Sequence, residues 1–304
     1  MSEMGEPDQT GVMLMRAFQT RLRYKTCAKW QKPFVNPLRF ARNQFKKFAG
    51  RGEVDGEIRE VEAFHLADFS IVNGEGVGEQ IASYGIYEES LTEAFLRLVR
   101  PGMVVLDVGM HVGYYTTLFA RLVGERGEVH AFEPTPSTRT IAARNVARFK
   151  QVVVHPEALW SCERVVKFRD YGPKWLAFNS FTEAKTDQEI PPPQEFDVTT
   201  GTLDQFRQRR GKTISLIKID AESAELEILR GAATMLKVDR PLLTVEVGDV
   251  GANIQSRALH EHLAAAGYRA WELCNGKFQL HQPRERYSYD NLIFAPCERE
   301  LSTS

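Results

Sequence analysis

A chain of 304 residues, 43% of them hydrophobic, is long enough to bury a sizeable core, as one large domain with an appendage or as two modest domains. Its formal net charge of −1 removes the simple electrostatic case for a nucleic-acid binder acting through its whole surface. Cys27, Cys162, Cys274 and Cys297 form no C-x-x-C pair, which gives no zinc or disulfide framework and fits reduced thiols in a cytosolic protein.

The charge is unevenly placed along the chain. Between Arg16 and Arg51 stand eleven Lys or Arg residues and no Asp or Glu, interleaved with Phe18, Tyr24, Trp30, Phe34, Phe40, Phe45 and Phe48. This stretch reads as one or two helices broken near Pro33 and Pro37 and closed by a loop from Gly50 to Gly56. Residues 1–60 are therefore set apart as a basic helical extension of a main domain, residues 61–304. Such an arm can lie on an anionic membrane surface, bind RNA or an acidic partner, or pack its aromatics on its own domain. No segment has the length of a transmembrane span, and residues 1–20 lack the basic start and apolar centre of a secretory signal. The expected location is the cytoplasm, peripheral to a membrane if the arm docks there.

From Val61 to Tyr87, short alternating runs with Gly74, Gly76, Gly78 and Gly85 predict strands and turns that cap a sheet. Glu88 to Val99 has apolar residues at helical spacing and stops at Pro101-Gly102. Strands and helices then alternate: strand Met103–Asp107, helix Tyr114–Val123, strand Glu128–Glu133, helix Pro136–Phe149 with Thr135 as N-cap, strand Gln151–His155. Between Leu159 and Thr200 the helical period fails, and Pro191-Pro192-Pro193 argues for a long excursion beside a binding site. Order returns with strand Ile214–Asp220, helix Ala224–Leu236, strand Pro241–Val247, helix Ile254–Ala266, strand Tyr268–Leu273 and a last strand Asn291–Ala295. This alternation predicts a doubly wound α/β sheet with an antiparallel final pair at its edge.

The segment VVLDVGMHVGYY, Val104 to Tyr115, carries the chemistry. A strand that stops at Asp107 and turns through Gly109 and Gly113 leaves backbone N–H groups at the head of a parallel sheet, where nucleotide-like cofactors bind. About twenty residues on, the second strand ends at Glu133, a carboxylate placed to accept hydrogen bonds from both hydroxyls of a ribose. The glycine spacing is G-x-x-x-G and lacks the G-x-G-x-x-G that faces a pyrophosphate. S-adenosylmethionine, with a ribose and no phosphate, suits such a site better than a nicotinamide dinucleotide.

Taken in order, DVGMHVGYYTTLFA, HAFEPTP, TLDQF, LIKIDAESAELEILRGA and NLIFAP resemble the FkbM-type family of S-adenosylmethionine-dependent O-methyltransferases, over roughly Val61 to Pro296. The resemblance implies a Rossmann-like class I methyltransferase fold, a mostly parallel seven-stranded sheet with the last strand antiparallel. It also implies methylation of a hydroxyl, often on a sugar, glycan or secondary metabolite. Carried over position by position, Asp107, Gly109, His111 and Gly113 belong to the cofactor loop, Glu133 to the ribose contact, and Asp220 and Glu222 to the motif after the fourth strand. The family usually has Ala-Asn where this chain has Met110-His111, and Glu-Gly where it has Glu222-Ser223.

An alcohol is a poor nucleophile at neutral pH, so a base must take its proton or a metal must lower its pKa. Asp220 and Glu246 are expected at neighbouring strand ends with Glu222 just inside the turn. Any of these can be the base, and two of them can hold a divalent cation, although no metal is the favoured reading. The alternatives are that Asp220 orients the cofactor's methionine part or caps a helix, and that Glu222 satisfies first-turn N–H groups. His111 can act as a base or simply replace asparagine as a backbone hydrogen-bonder. Small Ala158, after the third parallel strand, would let an adenine ring approach, and Trp160, Trp175 and Phe178 stand in the excursion as acceptor-pocket candidates. Two rivals remain: a nicotinamide-dependent oxidoreductase, and a catalytically impaired binding protein that acts through its basic arm. The expected partner is a small-molecule or saccharide acceptor, with an anionic membrane surface or acidic partner at residues 16–51; nucleic acid is not expected, although an RNA or protein acceptor is a further alternative.

Overall fold

The computed structural model describes residues 8–49, 54–180, 189–249, 255–288 and 290–301; the side chains of Phe48 and Phe178 lie outside the described ones. The extension holds α1 (Gln9–Thr26), a short α2 (Lys32–Val35) and α3 (Pro37–Ala49). A hairpin of β1 (Ile58–Val61) and β2 (Phe69–Val72) follows, then α4 (Gly76–Tyr84) and α5 (Glu89–Leu98). The glycine-rich run expected as strands and turns thus ends in a helix. Glu75 caps it, its carboxylate accepting from the Val77 and Gly78 N–H groups, and Gly85 stops it at φ +76°.

The main sheet contains β3 (Val104–Val108), β4 (Glu128–Phe132) and β5 (Val152–His155), with α6 (Tyr114–Val123) and α7 (Pro136–Val146) between them. The excursion is not irregular throughout: β6 (Ala158–Leu159), β7 (Val165–Asp170) and β8 (Gln194–Gly201) form a small sheet of their own. After α8 (Leu203–Arg210) come β9 (Leu216–Ile219), α9 (Glu225–Arg230), α10 (Ala233–Val238), β10 (Leu242–Val247), α11 (Gln255–Ala265), β11 (Tyr268–Cys274), β12 (Lys277–Leu280) and β13 (Asp290–Pro296). Ile254, expected to open α11, lies outside the described residues.

The eight strands run in the order β12-β11-β13-β10-β9-β3-β4-β5. Neighbours from β10 to β5 pair in parallel, and β13 pairs antiparallel with both β10 and β11. The seven expected strands are present, with β12 added as a hairpin on β11. The last strand is antiparallel, but it slots inside the sheet; the edge belongs to β12.

Strand β3 is buried along its whole length, as a strand covered on both faces must be. Its alternation divides the core: Val105 packs with α5, α6 and α1, while Leu106 and Val108 pack with α8 to α10. The extension shares this core. Phe18 of α1 is fully buried and meets Phe64 edge to face at 5.7 Å. Arg39 of α3 is buried with its guanidinium donating to the carbonyls of Ile81, Ala82 and Ser83, the last turn of α4. Arg21 and Lys25 pair with Glu62 and Glu89.

Two expectations are corrected by packing. The helix expected over Ala224–Leu236 is split into α9 and α10 at Gly231, where a Cβ would collide with the Trp160 carbonyl oxygen. Thr135 sits at the N-cap of α7, but its hydroxyl caps nothing; Glu133 accepts from the Thr135 N–H instead.

Asn145 of α7 ties the hairpin to the loop after β3. Its side chain accepts from the Ser70 N–H and donates to the carbonyls of Ser70 and Val112. Asn145→Ala should strand three buried backbone groups and cost about 2–4 kcal/mol, read as a lowered urea midpoint against the unaltered chain; a loss within experimental error would refute this bracing role.

Candidate functional site

A crevice of about 1050 Å³, counted out to its open mouth, lies at the carboxyl ends of β3, β4, β9 and β10. The loop after β3 forms its floor. Gly109 takes φ +75° and comes so close to the loop after β9 that a Cβ would strike the Asp220 carbonyl oxygen, so no other residue fits there. His111 follows at φ +51°, a left-handed conformation that Asn and His enter more readily than most side chains. Gly113, at φ +87°, then opens α6.

Glu133 directly follows β4 and lines the crevice while only 7% exposed. One carboxylate oxygen accepts from the His111 N–H at 3.1 Å and the other from the Thr135 N–H at 2.9 Å. Each oxygen keeps a lone pair for a further donor. Burial raises the Glu133 pKa, opposed by these hydrogen bonds. The apolar wall beside it includes Phe132, Ala158, Leu159 and Ile228.

Beneath the floor lies a buried cation. Lys218 of β9 stands in register with Asp107 of β3, its Nζ 3.7 Å from Asp107 Oδ1 and 3.1 Å from Asp220 Oδ2, and it donates to the Gly109 carbonyl. Burial opposes its charge, but Asp220, Asp107 and Glu88 outweigh that and raise its pKa. Asp107 is fully buried, and its other oxygen accepts from the Thr116 hydroxyl at 2.5 Å. Burial nevertheless raises the Asp107 pKa against the pull of Lys218.

Opposite Glu133 is a carboxylate cluster. Glu88, at φ +41° before α5, accepts from the Tyr115 hydroxyl and the Asn291 amide. Burial raises its pKa, helped by Asp220. Glu246 at the end of β10 is pushed up to about 10, first by burial and then by Asp220, Glu222, Glu225 and Glu88. Glu222 is pushed up to about 8 by burial, Asp220 and Glu225. Glu225, in the first turn of α9, is raised to about 7 by burial, although it accepts from the Ala221 N–H.

The structure therefore brings Gly109, His111, Glu133, Ala158, Asp220, Glu222 and Glu246 together in one crevice. It places Asp107 and Gly113 outside the lining: Asp107 anchors Lys218 from below, and Gly113 serves the turn. Of the excursion's aromatics, neither Trp160 nor Trp175 lines the crevice; Arg164 lies over the Trp160 ring and Lys174 over Trp175. Sequence reading missed Lys218, Glu88 and Tyr115, which line it. Among the described residues no group of three or more His, Cys, Asp or Glu side chains is placed to hold a metal ion.

The family model for the methyltransferase FkbM domain matches residues 107–270, more than half of the chain. Among solved structures, an FkbM methyltransferase from Methylobacillus flagellatus is similar at 14% identity and a TM-score of 0.43, over 92% of this chain and 58% of that one. Fibrillarin from Aeropyrum pernix, in complex with natively bound S-adenosyl-L-methionine, is similar at 11% identity and a TM-score of 0.41, over 67% of this chain and 73% of that one. A methyltransferase from Aquifex aeolicus has 18% identity and a TM-score of 0.35, over 68% and 89% of the two chains. No curated protein sequence matches.

The folded protein holds a proton on Glu222 that the unfolded chain releases above about 4.5, the ordinary glutamate value, and keeps it to about 8. Stability should therefore fall as pH rises through that window. Glu222→Gln should make the decline shallower in urea titrations across it, and an unchanged slope would show that Glu222 is not held protonated.

Proposed function

We propose, since the chain belongs to the FkbM methyltransferase family, that it transfers a methyl group from S-adenosylmethionine to a hydroxyl oxygen on a sugar, glycan or secondary metabolite. The observation that carries this reading is the charge of the crevice. Five carboxylates line it; Glu222 and Glu246 hold their protons near neutral pH, which leaves Glu88, Glu133 and Asp220 against one lysine, Lys218, which is itself paired. S-adenosylmethionine carries a sulfonium and an ammonium and is drawn to such a potential; a nicotinamide dinucleotide brings two phosphates and is repelled.

The residues present fit the cofactor in three further respects. Glu133 retains lone pairs for two ribose hydroxyls, as a carboxylate at that strand end does in nucleotide sites. Ala158 and its apolar neighbours line the crevice and would pack against the adenine. His111 lines the crevice with its Nε2 buried and unpartnered among the described residues, a polar atom that a ligand would satisfy.

When bound, the cofactor supplies an electrophilic methyl on a positively charged sulfur. The chain's own part is to place the acceptor, exclude water and manage one proton. Glu222, raised to about 8, is the crevice carboxylate whose ionised form would accept the hydroxyl proton as the pH approaches that value. Glu246, raised to about 10, keeps its proton there and can donate a hydrogen bond to the acceptor. Asp220, paired with Lys218, would hold the amino end of the cofactor. Oxygen rather than nitrogen as the acceptor atom is supported by the lack of an N-P-P-Y-like or D-P-P-Y-like motif.

Calorimetric titration tests the cofactor class. S-adenosylhomocysteine should bind in the micromolar range, NADH should not, and Glu133→Gln should weaken binding by roughly ten- to hundredfold through the loss of two charge-assisted hydrogen bonds. Tighter binding of NADH would overturn the reading. With labelled S-adenosylmethionine and a panel of hydroxylated acceptors, Glu222→Gln should lower kcat by roughly a hundredfold or more. The unaltered enzyme should gain rate as pH rises toward about 8, as Glu222 loses its proton, and the variant should lack that limb. A profile unchanged by the substitution would transfer the role of base elsewhere.

A further inference from the structure

We propose that the outer face of the N-terminal helices is a docking surface for an anionic lipid bilayer, an inference independent of the cofactor assignment. Trp30, Phe34, Leu38 and Phe45 are 71%, 82%, 84% and 69% exposed, although α1 beside them is sunk into the core. Four large apolar side chains so bare within sixteen residues mark a contact surface rather than a scatter of surface apolar residues. Their arrangement follows from the helix. On α3, Leu38, Ala41 and Phe45 recur at i, i+3 and i+7 on the exposed face, while Arg39 and Asn43 on the other face hold the carbonyls of Ile81, Ala82 and Ser83. The arm is thus fixed by its polar side and turns its apolar side outward, the inverse of a helix that serves only the core.

Charge identifies the occupant. From Arg16 to Arg51 every charged residue is Lys or Arg. Arg21, Lys25 and Arg42 are paired with Glu62 and Glu89, whereas Arg16, Arg23 and Lys29 are exposed and have no ion pair among the described residues. Large apolar side chains interspersed with unpaired cations match the boundary between acyl chains and anionic headgroups. A second copy of the chain would set this positive face against itself. A single-stranded RNA would call for stacked aromatic platforms, and Leu38 offers no ring. No helix among the described residues is long and apolar enough to cross a membrane, so the contact is interfacial. Arg39 caps one end of α4, and Val77 in the first turn of α4 lines the crevice. That helix spans roughly 13 Å, so docking brings the crevice near the headgroups.

The test is co-sedimentation of the full chain with vesicles of phosphatidylcholine alone or mixed with phosphatidylserine. The protein should partition onto the mixed vesicles and be released by salt. The triple variant Phe34→Ser, Leu38→Ser, Phe45→Ser should lower the partition coefficient by roughly tenfold or more, and the pair Arg16→Glu, Lys29→Glu should do the same. Both variants should keep the helical circular dichroism and the S-adenosylhomocysteine affinity of the unaltered chain, which separates docking from folding and from the cofactor site. A blue shift of tryptophan fluorescence on adding mixed vesicles, absent in Trp30→Phe, would support insertion of the ridge. Failure to bind either vesicle, binding insensitive to both variants, a dimer in sedimentation velocity that the triple variant dissolves, or tighter binding to poly(U) than to vesicles would each overturn the proposal.

Discussion

The site rests on one buried cation. Lys218 lies in the middle of the main sheet, paired across the β3–β9 register with Asp107 and reaching up to Asp220 and the Gly109 carbonyl. An ammonium this deep is tolerable only if its charge is balanced and its donors used, and removing either partner would leave an uncompensated charge worth about 3–5 kcal/mol. Because Asp107 sits on β3 while Gly109 and Asp220 sit in the loops after β3 and β9, the pairing fixes the loop after β3 against the loop after β9. The crevice between them takes its shape from that fixation. Asp107 consequently lies below the floor, paired with Lys218 and outside the crevice lining.

How far the sequence discloses this varies with the physics involved. Strand and helix alternation from Val104 to Val146 is written in local periodicity and in the glycines of the turn, so α6 appears at its expected bounds and Glu133 at its expected strand end. The crevice carboxylates are legible for the same reason, since parallel strands bring their carboxyl ends to one side. Lys218 is less so: in ISLIKID it reads as one polar residue in an apolar strand, and the only clue is that such a residue sits where both faces must be buried. The break at Gly231 depends on the carbonyl of Trp160, some seventy residues away, a clash no local pattern records. Glu88 reads as an ordinary helix start until Tyr115 and Asn291 are seen to grip it. The small sheet of the excursion is assembled by pairing β8 with both β6 and β7, again a non-local event.

Two of the three departures from the family pattern, His111 and Ser223, have a common backbone explanation. His111 stands at φ +51° and Ser223 at φ +76°, positions where Asn and Gly enter the left-handed region with least strain. Histidine is tolerated there nearly as well as asparagine and still donates its N–H to Glu133. Serine is costlier than glycine by about 1–2 kcal/mol, and it follows Glu222, itself at φ +50°. The turn is held nonetheless, since Glu225 accepts from the Ala221 N–H at its start. Neither change removes a carboxylate from the crevice. They alter the backbone strain stored beside the crevice carboxylates.

The net charge of −1 conceals a separation that organises the whole molecule. Basic residues gather on the arm and acidic ones in the crevice, and the two are joined by α4, gripped by Arg39 at its carbonyl end and opened by Glu75 at its amino end. Both placements follow the helix dipole, cation at the C-terminus and anion at the N-terminus. The arm could not be detached without uncapping α4, and α4 could not shift without disturbing Val77 at the crevice. The extension and the domain are thus one mechanical unit, and whatever surface the arm meets limits the directions from which the crevice can be reached.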